Sequence, residues 1–152
     1  MPEHVPLVDG GSERLRDRPT WLISRAYLRA SGLLQEGFAQ GGDGLRGYHY
    51  RLLAALDEWG PASQAELGRG TGIDRSDVTA ALVDLEGRGL VRRDVNQADR
   101  RRNVVSITAA GVRHLEVLDS VVDEIQERLL APLSEDERRQ FITLMRRVAT
   151  DD

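Results

Sequence analysis

The apolar positions change period along the chain, and each change marks an element. From Thr20 they recur at helical steps: Leu22, Ala26, Leu33 and Phe38 fall near one face, with Ile23, Tyr27, Ala30 and Leu34 widening it. The run stops at "QGGDG", Gln40 to Gly44, a flexible break. Leu45, Tyr48, Leu52, Ala55, Leu56 and Trp59 then stand three and four apart, which predicts a second helix closed by Gly60-Pro61. Two short helices follow. Ser63-Gln64-Ala65-Glu66 is a capping box, in which the Ser oxygen accepts a free N–H and Glu66 reaches back. "GRGTG", Gly68 to Gly72, breaks that helix. Asp74 is placed to cap the next helix, and Asp77 takes its third position. Ile73 and Val78 flank that start at hydrophobic-staple spacing. Val78, Leu82 and Leu85 face inward, and Gly87-Arg88-Gly89 stops the run. Two helices joined by a tight glycine-containing turn make a helix-turn-helix.

After Gly89 the period becomes that of strands. "LVRRDV" and "NVVSIT" suit two short strands, and the polar "NQADRRR" between them suits a hairpin tip. A helix-turn-helix followed by such a hairpin is a winged helix. Thr108 then caps a helix starting near Ala109. In it Leu115, Leu118, Val122, Ile125 and Leu129 alternate steps of three and four, the a/d seam of helices that pair. Pro132 ends it, Ser134-Glu135-Asp136-Glu137 is a second capping box, and Phe141, Leu144, Met145 and Val148 share one face of the last helix.

The predicted fold class is therefore mainly α with a small β-hairpin: a winged helix-turn-helix core flanked by dimerisation helices. The expected divisions are a mobile N-terminal arm (1–19), a dimerisation helix and linker (20–44), the winged core (45–108) and C-terminal dimerisation helices (109–152). The terminal apolar stripes are wider than a small module needs, which implies a second copy of the chain; packing within one chain is the alternative.

Composition narrows the chemistry. The 152 residues contain no cysteine, which removes disulfides, thiolate metal sites and thiol redox sensing together. His4, His49 and His114 show no ligand spacing, so no metal is expected. There is no Gly-rich phosphate loop, nucleophile elbow or HExxH, so neither enzyme activity nor a cofactor is expected. No apolar run is long enough to span a membrane and no signal-peptide pattern opens the chain, so a cytoplasmic location is expected. Net charge is −4, and all basic residues are arginine. The charge is uneven: Arg69 to Arg102 holds eight Arg against six Asp/Glu, a net of +2, whereas Glu116 to Asp152 holds five against ten, a net of −5. Positive charge concentrates at Arg100, Arg101 and Arg102, in the hairpin tip.

Three stretches resemble the MarR family of bacterial transcription regulators. "DRSDVTAALVDLEGRGLVRR", Asp74 to Arg93, is similar to that family's recognition helix with its LE-x-x-G-L-V exit. Asp99-x-Arg101, with Thr108 seven positions later, is similar to its wing, and Thr108-x-x-Gly111 opens the long helix as in that family. The resemblance spans roughly Thr20 to Ala149. It departs at Ala80, where many relatives carry a basic residue, and at Asp77, an acid near the expected DNA face.

The resemblance implies a homodimer that binds double-stranded DNA, represses transcription from a palindromic operator and lets go when a small aromatic or phenolic effector binds. Arg75, Ser76, Thr79 and Ala80, on the outer side of the recognition helix, are the expected base-reading set, with Arg75 suited to guanine. Ser63, Gln64 and Thr71 are expected at the DNA backbone. Asp99, Arg100, Arg101 and Arg102 form the expected wing contact, with Asp99 and Arg101 shaping it and one wing-tip arginine in the minor groove. Trp21, Tyr27, Tyr48, His49 and Arg51 are candidates for the effector, able to stack on an aromatic acid or pair with its carboxylate; core or surface packing is the alternative for each. A winged-helix protein-interaction module without DNA binding is the competing reading, because fold does not dictate function.

Overall fold

Pro19 occupies the first turn of the first helix, where its missing N–H goes unused and its fixed φ suits the helix. The computed structural model of the chain describes residues 12–95, 98, 99 and 103–150. In order they form α1 (Pro19–Gly41), α2 (Gly47–Trp59), β1 (Ala62–Ser63), α3 (Gln64–Thr71), α4 (Arg75–Gly87), β2 (Val91–Asp94), β3 (Val104–Ile107), α5 (Ala109–Leu130) and α6 (Glu135–Ala149). The fold class read from the sequence is the one observed, a helical protein with a winged helix-turn-helix. Most of the expected N-terminal arm, residues 1–11, lies outside the described residues. None of the described helices is long and apolar enough to cross a membrane.

The sheet has three strands, in the order β1-β3-β2, all antiparallel. β2 and β3 are the expected hairpin, paired from Val91↔Ile107 to Asp94↔Val104. β1 was not expected. Its two residues pair with Val105 and Val104, and two residues are too few to display a period.

The chain divides into two units. One comprises Gln35–Gln126. Its core joins Leu52, Leu53 and Leu56 of α2 to Leu67 of α3, Val78, Leu82 and Leu85 of α4, and Val105 of β3, each at most 1% exposed. Burying one such side chain contributes roughly 1.5–3 kcal/mol, so this cluster holds the helix-turn-helix together. Leu115, Leu118 and Ile125 also belong here, at 7%, 0% and 3% exposure. Expected at a seam between copies, these three residues have most of their apolar surface covered within one chain. α5 can come close because Gly37 and Gly41 stand four apart on α1. A Cβ at Gly37 would lie 2.5 Å from Ile125 Cδ1, and one at Gly41 would lie 2.9 Å from Val121 Cγ2. Tyr50 adds a polar link, its hydroxyl donating to Asp119 at 2.8 Å. Burial and that carboxylate push the phenol up to about 12.

The other unit comprises Met1–Leu34 and Glu127–Asp152. Here the C-terminal carbonyls of α5 are met by side chains. Arg29 donates to the carbonyls of Arg128 (3.0 Å) and Leu129 (3.1 Å), and Arg138 donates to those of Leu130 and Leu133 and to Glu127 (2.9 Å). Cations at a helix C-terminus also oppose its dipole. α6 starts with the expected box: Glu137 N–H donates to Ser134 Oγ at 3.2 Å, and Ser134 N–H donates to Glu137 at 2.9 Å. Yet α6 buries no residue. Phe141, Leu144 and Val148 are 37%, 55% and 66% exposed, and Met145 is half-buried. In α1, Leu22, Tyr27 and Leu28 are exposed by half or more. Val122, in the first unit, and Leu129, in this one, are half-buried.

Candidate nucleic-acid interface

The outer face of α4 follows from helical geometry. Val78, Ala81, Leu82 and Leu85 are buried, so residues half a turn away must point out. Arg75, Ser76, Thr79, Ala80 and Val83 are all exposed, as their spacing predicts. Asp74 holds the N-cap position, but its carboxylate makes no capping hydrogen bond, which corrects the expected cap. Ile73 and Val78, 5% and 0% exposed, bury the staple that sets the entry of the chain.

Several contacts fix this helix within the unit. Gln64, at the start of α3, donates its amide to Thr79 Oγ1, and Thr79 donates in turn to the carbonyl of Arg75 at 2.9 Å. Ser63 is committed to the α3 cap, accepting from Glu66 N–H at 3.2 Å while Glu66 accepts from Ser63 N–H at 2.8 Å. These bonds hold the exposed Glu66 carboxyl below the usual carboxylate range. Thr71 donates to Leu67 carbonyl at 2.6 Å. The three residues expected at the DNA backbone thus lie at the two ends of α3, each with its hydroxyl or amide group in a hydrogen bond within the protein.

On the far side, Asp84 meets His49. His49 is 6% exposed, with Nε2 3.1 Å from the carboxylate and Nδ1 accepting the N–H of Arg46 at 2.8 Å. That second bond requires Nδ1 to be unprotonated, so in the neutral ring Nε2 carries the hydrogen and donates to Asp84. Burial lowers the His49 pKa, and Asp84 opposes the shift. One turn on, Arg88 donates to the carbonyl of Asp43 at 2.7 Å, in a loop where Asp43 and Gly44 have positive φ. His49 and Arg88 therefore clamp the last half of α4 to the turn before α2. His49, expected near an effector, has both ring nitrogens engaged within the protein. Asp84 and Arg88 make these contacts across 35 and 45 residues of chain, so no local spacing in the sequence marks them.

The wing is tied to α4 as well. Arg93 of β2 pairs with Glu86 at 3.1 Å, and Arg92 pairs with Asp94 at 3.2 Å. Asp99 is exposed; Arg100, Arg101 and Arg102 lie outside the described residues. Among the remaining effector candidates, Trp21 is half-buried with the Arg25 guanidinium 5.9 Å from its ring centroid. Tyr27 and Tyr48 are 69% and 45% exposed, and Arg51 is exposed. Trp21 and Tyr27 fall in one unit, and Tyr48, His49 and Arg51 in the other.

Comparison with known proteins agrees with this geometry. The family model described as MarR family matches residues 43–102, from the turn before α2 to the wing. Over 151 residues the chain is 28% identical to the HTH-type transcriptional repressor NicR of Pseudomonas putida, covering 99% of this chain and 94% of NicR. The crystal structure of a probable transcriptional regulator from Pseudomonas aeruginosa shares 34% identity at a TM-score of 0.74, covering 87% of this chain and 97% of that one.

This chain belongs to the MarR family of transcriptional regulators.

A further structure, of Bordetella bronchiseptica BpsR, concerns regulation of its DNA binding by 6-hydroxynicotinic acid; it matches at a TM-score of 0.77 and 26% identity, covering 85% of this chain and 96% of that one. The MarR motifs noted in the sequence now have physical causes. In Leu85-Glu86-x-x-Gly89-Leu90-Val91, Gly89 takes φ +71, Leu90 N–H donates to Leu85 carbonyl at 2.9 Å, and Gly89 N–H donates to Glu86 carbonyl at 3.0 Å. This is a Schellman ending, sealed by buried Leu85 and Leu90. In Thr108-x-x-Gly111, Thr108 Oγ1 donates to Gly89 carbonyl at 2.7 Å and accepts from Gly111 N–H at 3.0 Å. The wing is therefore pinned at its base to the exit of α4.

Proposed function

We propose that this MarR-family regulator is a homodimeric repressor that holds a palindromic operator in duplex DNA and releases it on binding a small hydroxylated aromatic acid. The observation that carries the DNA reading is α4 itself: a helix with its inner face fully buried, its outer face fully exposed, and a wing tied to its exit. Such a helix fits the major groove, and the three arginines that the sequence carries between β2 and β3 suit the adjacent minor groove. The near-full-length match to a protein named as a repressor supports the direction of control.

The dimer reading rests on α6, which buries nothing in a single chain although Phe141, Leu144 and Val148 line it. An amphipathic helix of this kind gains its stability from covering such a stripe. A two-fold partner is the commonest cover, and it would set two recognition helices on half-sites about one DNA turn apart. The effector reading rests on the likeness to BpsR.

A fluorescence-anisotropy titration of the full chain against genomically selected duplexes, across salt concentrations, tests the DNA reading. Affinity should fall steeply with salt, and Arg101→Ala should weaken binding and flatten the log–log slope by about 1. Salt-insensitive affinity for a protein, with none for duplex DNA, would establish the interaction-module reading instead. Adding 6-hydroxynicotinic acid and related hydroxybenzoic acids to the bound complex tests release.

A further inference from the structure

The line of α4 directly opposite its core is Ser76, Ala80, Val83 and Gly87, spaced four, three and four apart. All four are exposed, Val83 at 62%, and a Cβ added at Gly87 would meet nothing within 4 Å. No long or charged side chain stands on this line. A helix with so thin an outer face can approach the floor of a groove closely. It also has few hydrogen-bonding groups with which to read base edges once there.

Thr79, beside this line, does not restore them. Its single hydroxyl hydrogen is donated to the carbonyl of Arg75 at 2.9 Å, and its oxygen accepts from the amide of Gln64. The hydroxyl therefore has no hydrogen left to donate and only one free lone pair, and the methyl is the other group the exposed side chain offers a ligand. Thr79, Ala80 and Val83 then present three adjacent apolar groups on an exposed helix that has no packing use for them. In the major groove the one apolar feature of the base edges is the C5 methyl of thymine.

We propose that this helix identifies its operator largely through thymine methyl groups, contacted by the Thr79 methyl, Ala80 and Val83, with Thr79 acting through its methyl and not its hydroxyl. This deepens the DNA reading above and rests on it. Guanine reading is left to Arg75 at the N-terminal end. Gln64 is a positioning residue, fixing the Thr79 rotamer.

The test replaces each dT of a selected operator with deoxyuridine, which deletes the methyl and leaves pairing intact. The wild-type chain should lose about threefold to fivefold in affinity at one or more positions per half-site, the effect of leaving a methyl-sized group unburied. Thr79→Ser, which keeps the hydroxyl and removes the methyl, should abolish the penalty at one position. Thr79→Val, which keeps a methyl and removes the hydroxyl, should retain it whatever happens to overall affinity. Val83→Ser should abolish the penalty at a different position. All three substitutions are at exposed sites, and unchanged thermal melts would confirm folding. Equal affinity for dT and deoxyuridine operators at every position would overturn the proposal, as would a penalty that survives in Thr79→Ser and vanishes in Thr79→Val. Either outcome is distinct from binding no duplex at all, which would overturn the DNA reading and this inference together.

Discussion

Gly111→Ala is the sharpest test of how the wing is anchored. Gly111 lies in the first turn of α5, and a Cβ placed there would be 2.1 Å from the carbonyl oxygen of Leu90 and 2.7 Å from Ile107 Cγ1. Ordinary contact begins near 3.4 Å, so about 1.3 Å of overlap must be relieved. The Leu90 oxygen cannot simply retreat. It accepts from Thr108 N–H at 3.1 Å, and Leu90 N–H is held by Leu85 carbonyl at 2.9 Å. Its side chain is 6% exposed. Overpacking of this kind costs about 1–3 kcal/mol, here toward the upper end because the obstacle is backbone. Pulling one hydrogen bond out of line adds about 1 kcal/mol. Against these, alanine is favoured over glycine in a helix by up to about 1 kcal/mol. The net is a loss of about 2–3 kcal/mol, or roughly 4–12 °C in Tm for a chain of this size. Differential scanning fluorimetry at fixed protomer concentration measures it, since a dimer's Tm moves with concentration. Gly87→Ala is the control: a Cβ there meets nothing within 4 Å, so its Tm should hold or rise. A Gly111→Ala Tm equal to or above wild type would refute the claim that this contact locks wing to helix.

His49 makes stability depend on pH. Its folded pKa lies below 6.5 chiefly because burial disfavours the cation, so the unfolded chain takes up a proton first as pH falls. The contribution is thus complete above about pH 6.5 and lost below it, and Tm should drop less on acidification in His49→Asn than in wild type; parallel profiles would assign the acid sensitivity elsewhere. Tyr50 works at the other end of the scale. With its folded pKa at about 12, it supports folding below the unfolded value of 10.0, and that support is lost as pH rises. An ultraviolet titration of the folded chain should show one tyrosine ionising late and Tyr50→Phe should remove that step; three tyrosines titrating together would contradict the burial argument. Arg29→Met should cost about 1 kcal/mol, or roughly 2–4 °C, by freeing the carbonyls of Arg128 and Leu129, and an unchanged melt would show that solvent replaces it.

The order of elements was legible in the sequence because its signals are local. Helical spacing in α2 and α5, the Ser63 and Ser134 capping boxes, and the glycines after α3 and α4 each act within one or two turns of chain, where backbone geometry alone sets the pattern. The inner face of α4 followed for the same reason, from Val78, Leu82 and Leu85. Periodicity could say that Leu115, Leu118 and Ile125 seek cover, but not what covers them. An apolar residue carries no address; for Ile125 the answer depends on Gly37 leaving room on α1 for its side chain. Nor could it find the two residues of β1, or see that His49, Asp84, Arg88 and Asp43 meet, since that clamp joins residues far apart in sequence.

The sequence by itself therefore determined the elements, their inner faces and the winged architecture, all set by short-range geometry and hydrophobic periodicity. The tertiary structure alone decided which polar groups are used up inside the protein and which remain for a ligand. A hydroxyl such as that of Thr79 looks the same in the sequence whether it is free or held by Gln64, because hydrogen-bond commitment is a property of three-dimensional neighbours.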